Sequence, residues 1–487
     1  MRKNIFGLIL FISLSFTQTS YSKNPIVSLN NSNNNEKREP APIFPFTNPN
    51  VQNFDNVHRD SNGIPMLLYD NKYEYYPIQY IQVALFYYAN YIKTKDETSK
   101  ETFLKIVDFA KRHMVYIDDF AVLQYNFIVN PYQINPPCQS SMAQSFGIGI
   151  MIQAYSITHD KSYLTIAEKM VKSFDVLIEN GGVKSMWEDT PFYEEYPDPN
   201  SHVLNGYIFS LSGLYYAYKT TGNLEAKRLF DIGISSLKVK INQYDAAFTS
   251  YYSKLVGEQP AFASAINEDP DHYHELEIYQ LLTLYIWTNE SIFKEYAHKF
   301  LKYDTGEVTD FFNHKKFSSI TATNTIDPVN FGVSNLDNEL WSWGNYWSTN
   351  QFPTELGINF SLINNEKFKK NIEAITFYAI SENTLPNNFE VYVLDENNNW
   401  NKVCDAYQMR IRNRNYYKTD DFETFIETYY FTKPQNGSAL KINFLDARGL
   451  DILDQGIIAL REINIQYDRS QELEIIENNA RKSNPFK

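Results

Sequence analysis

The chain of 487 residues is long enough for more than one domain, and 43% of its residues are hydrophobic, which is enough for a large core. Its formal net charge of −14 argues against nucleic acid as a partner, because phosphate binding needs a basic surface stripe. An acidic polysaccharide would require a local basic groove on this protein.

The N-terminal residues are typical of a secretory signal peptide. Residues 1–3 are basic at Arg2 and Lys3, residues 5–16 are apolar, and Ser20 and Ser22 are small residues suited to cleavage. We therefore predict a signal peptide over residues 1–22 and a secreted or periplasmic location. Residues 23–50 are rich in Asn, Pro and Ser, which predicts a disordered linker. No second apolar run of 18 residues follows, so no membrane span is predicted.

Residues 51–304 predict a catalytic domain that begins with a β-hairpin, formed by residues 66–69 and 73–76. Helical periodicity then starts at Tyr80. A threonine followed by a turn residue recurs at intervals of 64, 63 and 67 residues. These threonines are Thr94, Thr158, Thr221 and Thr288. Each unit is predicted to be a helical hairpin, and hairpins that cannot bury their faces alone must stack. The long loops on one side favour closure into an (α/α) toroid with its cleft on that side.

Residues 305–467 lose the helical period and predict a β-sandwich of the discoidin or galactose-binding-like type. Alternating short strands are predicted at residues 374–380, 389–394, 425–431, 439–444 and 460–467. Trp341, Trp343 and Trp347 fit either a sugar-binding platform or the closed bottom of the sandwich, and both interpretations stay open. Residues 468–487 predict a frayed tail. The fold class is thus mainly α with β.

The loop at residues 187–206 carries the most distinctive chemistry of the chain. Two aromatic residues flank the adjacent carboxylates Glu194 and Glu195, and Pro197 prevents a helix there. An apolar run at residues 207–218 then starts a helix. Binding and catalytic groups concentrate on loops held by a rigid scaffold. The plainer explanation is a solvated acidic turn with a half-buried tyrosine.

Four motifs together resemble the C-terminal catalytic domain of the D-glucuronyl C5-epimerases, which act on heparosan and heparan-sulfate precursors. The resemblance covers residues 125–303, and it rests on the order and spacing of the four motifs. They are Glu194-Glu195-Tyr196-Pro197, Val203-Leu204-Asn205-Gly206, Tyr244-Asp245 with the later Tyr251-Tyr252, and Asp271-His272-Tyr273-His274. The resemblance implies an isomerase that converts D-glucuronate to L-iduronate within a polysaccharide, and it implies a homodimer.

The resemblance also places the functional tyrosines at Tyr196, Tyr252 and Tyr273, and the key glutamate at Glu195. Epimerisation at C5 needs a base, an acid on the opposite face of the sugar, and stabilisation of the enolate between them. A tyrosine can serve if its pKa, about 10 when free, is lowered by a cation or by hydrogen bonds. Which residue acts on which face stays open.

Further residues are candidates for holding the substrate. Asn205, Gln144 and His274 could bind hydroxyl groups or the carboxylate. Lys184 matches a lysine of the family, and Lys254 lies close to Tyr252. The family has an arginine one residue beyond this lysine, where the present chain has Leu255. This departure leaves the carboxylate clamp undefined.

No cofactor or required metal is predicted, since the usual metal and nucleotide motifs do not occur in the sequence. The acids that could bind Ca²⁺ are Asp189, Glu194 and Asp271. Three other functions stay open: a polysaccharide lyase that expels the C4 oxygen after proton removal, an (α/α) glycoside hydrolase using Glu194 or Glu195 with Asp271, and a non-catalytic glycan-binding protein.

Overall fold

The computed structural model describes most of the chain after residue 38. The described residues are 39–47, 57–129, 133–253, 273–303, 307–310, 313–315, 319–336, 344–360, 362–363, 366–367, 370–418, 423–449 and 456–486. The predicted signal peptide, and residues 23–38 and 48–50 of the predicted linker, lie outside them.

Nine α-helices occur in the described residues. They are α1 Pro77–Thr94, α2 Glu97–Arg112, α3 Ser141–Thr158, α4 Lys161–Lys172, α5 Leu204–Thr221, α6 Leu224–Lys240, α7 Tyr273–Thr288, α8 Ser291–Leu301 and α9 Ser470–Ser483. Three antiparallel β-hairpins lie before and between them: β1 Leu67–Tyr69 with β2 Lys72–Glu74, β3 Val115–Ile117 with β4 Phe120–Val122, and β5 Lys184–Trp187 with β6 Thr190–Tyr193.

The four threonines mark the turns of four helical hairpins, as predicted. Each threonine hydroxyl donates to the carbonyl four residues earlier, as in the bond from Thr94 Oγ1 to Asn90 O at 2.8 Å. The next residue adopts a left-handed conformation that ends the helix, with φ between 60° and 74°. In three hairpins an Asp or Asn then caps the second helix by accepting backbone N–H bonds. A locally specified turn thus repeats at each hairpin.

The odd-numbered helices α1, α3, α5 and α7 form the inside of the helical part. Nearly every residue of α3 and α5 is buried, whereas α2, α4, α6 and α8 keep an exposed face. Helices α3 and α5 run in parallel, because Ser141 at the start of α3 hydrogen-bonds to Ser210 at 2.6 Å, and Ser145 contacts Phe209 and Gly213. The N-terminal ends of these inner helices therefore lie on the same side as the β-hairpins.

Residues 39–47 belong to the helical core, so the linker prediction is wrong for this stretch. Phe44 is 1% exposed and packs against Phe146 and Tyr216. The hydroxyl of Tyr88 donates to Ala41 O at 2.6 Å. A Cβ at Gly149 would lie 2.7 Å from Phe44 Cε2, so the glycine makes room for this ring. An apolar Phe-Pro-Phe sequence thus anchors a segment whose composition looks like a linker.

Phe44→Ala is expected to destabilise the protein by about 3–5 kcal/mol, because it removes a buried ring and leaves a cavity between the inner helices. Denaturant unfolding measures the change. Ile326→Ala, at a position 46% exposed, is the control and should change stability by less than about 0.5 kcal/mol. A Phe44→Ala variant as stable as this control would contradict the placement of the segment.

Two five-stranded antiparallel sheets make up most of the C-terminal part. The strands described after the helical hairpins are β7 Glu307–Asp310, β8 Asn313–Lys315, β9 Ser319–Ala322, β10 Trp347–Thr349, β11 Thr354–Asn359, β12 Leu362–Ile363, β13 Glu366–Lys367, β14 Lys370–Ala379, β15 Phe389–Leu394, β16 Trp400–Asp405, β17 Arg410–Lys418, β18 Glu423–Gly437, β19 Ala439–Phe444 and β20 Ile458–Tyr467. The strand orders of the two sheets are β10-β20-β14-β18-β17 and β16-β15-β19-β11-β9. Each predicted strand falls within one of these strands, except that the strand predicted at residues 374–380 ends one residue earlier, at Ala379.

Residues of both sheets share one hydrophobic core, separate from that of the helices. Strand β15 alternates buried and half-buried residues, as its sequence predicts. Trp347 is fully buried there and its Nε1–H donates to Thr325 Oγ1 at 3.1 Å. This favours core closure over a sugar platform for Trp347, while Trp341 and Trp343 lie outside the described residues. The predicted mixture of helices and antiparallel sheets is confirmed; the toroid and the discoidin-type sandwich stay predictions.

The residues predicted as a frayed tail form helix α9, so that prediction is wrong. Leu473, Ile476 and Ala480 are buried against the helical core. Lys294 on α8 forms an ion pair with Glu477 at 2.6 Å, and Arg469 donates to Leu301 O at 2.6 Å. The chain thus returns to the helices after its last strand.

The sheets also contact the helical part through the loop at residues 244–252. Phe248 and Ala246 form a small apolar cluster with Tyr378 and Ile426 of the first sheet. Lys302 binds Glu373 at 2.7 Å nearby. In the part of the chain that the structure describes, no helix is both long enough and apolar enough to span a membrane.

Candidate active site

The first turn of α5 joins the two groups of residues that the sequence singled out. On one side, the Glu195 carboxyl packs directly on Gly206, where an added Cβ would collide with Glu195 Oε2. On the other side, the backbone N–H of Leu204 donates to the carbonyl of Tyr252 at 3.0 Å. The motifs containing Glu195, Asn205 and Tyr252 therefore meet at one helix N-terminus.

Glu195 is a buried acid with an unusual protonation equilibrium. Its side chain is 2% exposed, and burial raises its pKa from 4.5 to about 8, against the opposing effect of a hydrogen bond with Tyr196. Its Oε2 atom has no hydrogen-bond partner among the described residues. A carboxyl with this pKa can both give and take a proton near neutral pH.

Tyr252 and Tyr273 form a pair of contacting rings. Their centroids lie 4.9 Å apart with the planes inclined by 54°, and the side chains are 7% and 3% exposed. Tyr252 ends the loop at residues 244–252, and Tyr273 lies at the start of α7. The predicted catalytic tyrosines of two separate motifs are thus adjacent. The third, Tyr196, lies next to Glu195 in the sequence and hydrogen-bonds to its side chain.

Glu194 anchors the loop that presents Glu195. Its carboxylate accepts hydrogen bonds from Ser185 Oγ at 2.5 Å, Ser201 Oγ at 2.8 Å and the backbone N–H of His202 at 2.9 Å. His202 Nδ1 lies 2.7 Å from Glu194 Oε1, and the imidazole stacks on Trp187. Because both carboxylate oxygens are used inside the protein, Glu194 suits neither the Ca²⁺ site nor the hydrolase acid considered from the sequence.

Among the residues predicted to bind substrate, Asn205 has the contacts that best suit a ligand. It is 2% exposed, and its Nδ2 atom has no hydrogen-bond partner among the described residues. Its backbone carbonyl accepts a bond from Gln280 Nε2 at 3.1 Å, which ties α5 to α7. A buried amide donor at a helix N-terminus can bind an anionic group.

Gln144 and His274 serve the scaffold. The Gln144 amide bonds both backbone groups of Leu123, each at 2.9 Å. His274 Nδ1 accepts from the backbone N–H of Ser250 at 3.1 Å, and its Nε2 donates to Phe300 O at 3.0 Å. The Gln144 amide and both ring nitrogens of His274 are thus hydrogen-bonded within the protein. The prediction that these two residues bind substrate therefore finds no support in their contacts.

Of the two predicted cations, Lys184 makes no contact with the tyrosine pair. Lys184 donates to Asp175 at 2.7 Å, and Asp175 also binds Arg228. This ion-pair cluster lies across β5 and α6, and none of its contacts involves the tyrosine pair. Lys254 lies outside the described residues, as does Asp271. The prediction that Lys184 holds the substrate carboxylate therefore finds no support in its contacts, and Lys254 stays a prediction.

Two phenols near Glu195 escaped the sequence analysis. Tyr76, immediately before α1, and Tyr125 are fully buried with rings 5.1 Å apart. Burial raises the pKa of both well above 10, and the neighbouring Glu195 adds to each shift. The Tyr-Pro start of α1 was a weak local signal for Tyr76. Nothing in the sequence links it to a residue 119 positions away.

No group of three or more His, Cys, Asp or Glu side chains that could hold a metal ion occurs among the described residues. Cys138 and Cys404 are both buried as free thiols.

Gly206→Ala is expected to disable the site, because the new methyl group would occupy the position of the Glu195 carboxyl. Overpacking of this kind costs about 1–3 kcal/mol of stability and displaces the side chain it meets. Thermal unfolding and turnover measure the two effects. Gly222→Ala is a control for a helix-terminal glycine with no atom near its Cβ position; it should lose stability through its φ of 74° but keep turnover of the folded fraction. Unchanged turnover in Gly206→Ala would contradict the geometry.

Comparison with known proteins identifies the family that this region resembles. Residues 118–302 match the family model described as D-glucuronyl C5-epimerase C-terminus. A D-glucuronyl C5-epimerase of Caenorhabditis elegans is 29% identical over 185 residues, which cover 35% of this chain and 30% of the worm protein. An uncharacterized protein of Methanocaldococcus jannaschii is 26% identical over 308 residues, covering 58% of this chain and 90% of that protein. The predicted family resemblance is confirmed for this part of the chain.

Solved structures match at lower similarity. An unsaturated glucuronyl hydrolase from a Bacillus species covers 46% of this chain and 61% of that chain, with a TM-score of 0.33 and 16% identity. A family 32 carbohydrate-binding module from Streptococcus pneumoniae covers 30% of this chain and 94% of that chain, with a TM-score of 0.22 and 12% identity.

Proposed function

We propose that this protein, whose residues 118–302 match the C-terminal domain of D-glucuronyl C5-epimerases, converts D-glucuronate to L-iduronate residues in a heparosan-like polysaccharide. The observation that carries the proposal is the meeting of Glu195 and the Tyr252–Tyr273 pair at the first turn of α5. In this proposal they supply a carboxyl and two phenols to one site.

The reaction removes the C5 proton, which is α to the sugar carboxylate, and returns a proton from the other face. Glu195 is proposed to act on one face and a tyrosine of the contacting pair on the other. With a pKa of about 8, Glu195 can exchange a proton with the weakly acidic carbon only in a site that stabilises the enolate strongly. Acid and base groups of this kind each contribute about 10²- to 10⁴-fold.

The enolate carries two negative charges, which need a positive environment. The inner helices direct their N-terminal ends to this side, and each such end is equivalent to roughly +0.5 elementary charge. Asn205 Nδ2 adds a buried donor in the first turn of α5. The family has an arginine at the position of Leu255 in this chain. We propose that helix N-termini and the Asn205 amide replace that arginine in holding the carboxylate of the sugar.

The helical hairpins are proposed to close as a toroid around the site, and the two sheets to form a discoidin-type domain that binds glycan or packs on the toroid. The protein is proposed to be exported to the periplasm or the medium and to act as a homodimer. Cell fractionation, light scattering and affinity electrophoresis on heparosan test the location, the dimer and the glycan binding. A cytoplasmic protein, a monomer or a lack of glycan affinity would each refute the corresponding part.

The function is tested by hydrogen exchange at C5. Purified protein is incubated in deuterated water with heparosan and with a panel of other uronate polymers, and C5 is followed by NMR. Deuterium entering C5 of a glucuronate polymer together with the appearance of iduronate, and without chain cleavage, supports the epimerase. An ultraviolet-absorbing unsaturated uronate would instead indicate a lyase, new reducing ends would indicate a hydrolase, and binding without exchange would indicate a glycan-binding protein.

A further inference from the structure

A second buried carboxyl lies on the helix that carries Tyr273. Glu277 is one turn further along α7 and is fully buried. Its Oε2 atom is hydrogen-bonded to Ser250 Oγ, while Oε1 has no partner among the described residues. No motif of the sequence pointed to this residue. Its contact with Ser250 matters because Ser250 is two positions before Tyr252.

Ser250 is also held by His274, the neighbour of Tyr273. The backbone N–H of Ser250 lies 3.1 Å from His274 Nδ1, and Ser250 Oγ lies 2.8 Å from the same atom. An N–H group can only donate, so Nδ1 is the acceptor. The bond from Nε2 to the carbonyl of Phe300 then requires a hydrogen on Nε2. His274 is therefore a neutral ring of defined tautomer.

The protonation of Glu277 completes a directed chain of hydrogen bonds. Burial raises its pKa well above 4.5, and the nearby Glu275 raises it further, against the effect of the Ser250 bond. A protonated Glu277 donates to Ser250 Oγ, whose hydrogen is then free to point at His274 Nδ1, and His274 donates to Phe300 O. Each member holds its neighbour in one orientation.

We propose that Glu277 is a positioning residue of the site: with Ser250 and His274 it fixes the loop of Tyr252 on α7 and so sets the placement of the Tyr252 and Tyr273 rings. These hydrogen bonds link the loop at residues 244–252 to α7 through Ser250. The Tyr252 and Tyr273 rings are in contact, with centroids 4.9 Å apart. The opposite side of the loop is fixed by Phe248 against the first sheet. The catalytic consequence depends on the proposed function, whereas the hydrogen-bonded chain does not.

Two substitutions separate positioning from simple stability. Glu277→Leu removes the hydrogen bond at similar size, and kcat for C5 exchange should fall by about 10- to 100-fold with little change in KM, because the tyrosines shift but the binding groups stay. Glu277→Gln keeps the shape and a donor towards Ser250, and should stay within threefold of the wild type. Thr283→Val, which breaks only a local bond to Tyr279 O on the same helix, is the control and should keep kcat.

Three results would overturn the inference. One is a Glu277→Leu enzyme with wild-type kcat. Another is a Glu277→Gln enzyme as slow as Glu277→Leu, since that would require the carboxyl itself. The third is a matching kcat loss in Thr283→Val, which would mean that any weakening of α7 suffices.

The hydrogen bonds among Glu277, Ser250 and His274 can also be tested without turnover, in case the wild type is inactive on every polymer. Protein with ¹⁵N-labelled histidine contains eight rings, and that of His274 is assigned from the resonances lost in His274→Asn. The wild type should show the Nε2–H tautomer, with an Nδ1 resonance that moves in Glu277→Leu and returns in Glu277→Gln. An Nδ1 resonance indifferent to Glu277 would refute the chain, whereas inactivity with the expected shifts would refute only the proposed function.

Discussion

Tyr252→Phe is expected to lower kcat for C5 hydrogen exchange by about 10²- to 10⁴-fold, and Tyr273→Phe to do the same. Each substitution removes one phenol hydroxyl and keeps the ring that is buried in the pair. Loss of a proton-transfer group in the transition state lowers kcat, while KM should change little because the sugar-binding surface is unchanged. Initial rates of deuterium uptake on heparosan give both constants.

Tyr216→Phe provides the matched control for these variants. Tyr216 is another fully buried phenol on α5, and its hydroxyl donates to Pro42 O at 2.6 Å, near the far end of the helix. Its substitution should cost about 1 kcal/mol of stability and leave kcat unchanged. If Tyr252→Phe and Tyr273→Phe both stayed within threefold of the wild type, proton transfer by this pair would be excluded.

The Glu195→Gln variant is expected to be about 10²- to 10⁴-fold less active than the wild type and also more stable. Between pH 4.5 and about 8 the folded wild type holds a proton on Glu195 that the unfolded chain has released. The wild type therefore loses stability as pH rises through this window, and the loss is complete above pH 8. The glutamine variant avoids this loss and should be more stable than the wild type by about 4 kcal/mol at pH 8, with little difference near pH 4.

Denaturant unfolding at pH 4, 6 and 8 measures this difference. Glu427→Gln is the opposing control, because Glu427 is a buried carboxylate held by Arg448 through two hydrogen bonds, the one from Nη1 at 2.7 Å. Removing its charge should lower stability at neutral pH. A Glu195→Gln protein that is no more stable than the wild type at pH 8 would show that burial does not raise the pKa of Glu195 in the folded state.

The helical hairpins were predictable because their turns are local. The Thr94, Thr158, Thr221 and Thr288 turns each consist of a back-bonding hydroxyl and one left-handed residue, and such features can be recognised from a few adjacent positions. Strand β15 was predictable for the same reason, since its alternation is contained in six residues. Segments whose structure depends on distant partners were not.

Residues 39–47 and helix α9 illustrate that limit. Both lie beside polar sequence, yet Phe44, Leu473 and Ile476 fill positions on the helical core. The helical spacing of Leu473, Ile476 and Ala480 was a weak local signal for α9. The remaining stabilisation comes from contacts such as Lys294 with Glu477, which join positions 183 residues apart.

The sequence motifs predicted which residues gather at the candidate site, but not what each side chain contacts there. The motifs identified Glu195, Tyr252 and Tyr273, which the fold brings to one helix terminus. They could not reveal that the polar groups of Gln144 and His274 are used within the protein, because the partners Leu123 and Ser250 contribute backbone atoms. Backbone partners leave no trace in the identity of a residue.

The most direct test of the central claim is the stoichiometry of the wild-type reaction on heparosan in deuterated water. NMR follows the iduronate formed and the deuterium at C5 over the first turnovers. Proton removal and return on opposite faces predicts that each new iduronate carries one deuterium at C5, and that exchange into unconverted glucuronate appears only later. Deuterium entering glucuronate without any iduronate, or no exchange in any glucuronate polymer, would contradict epimerisation at this site.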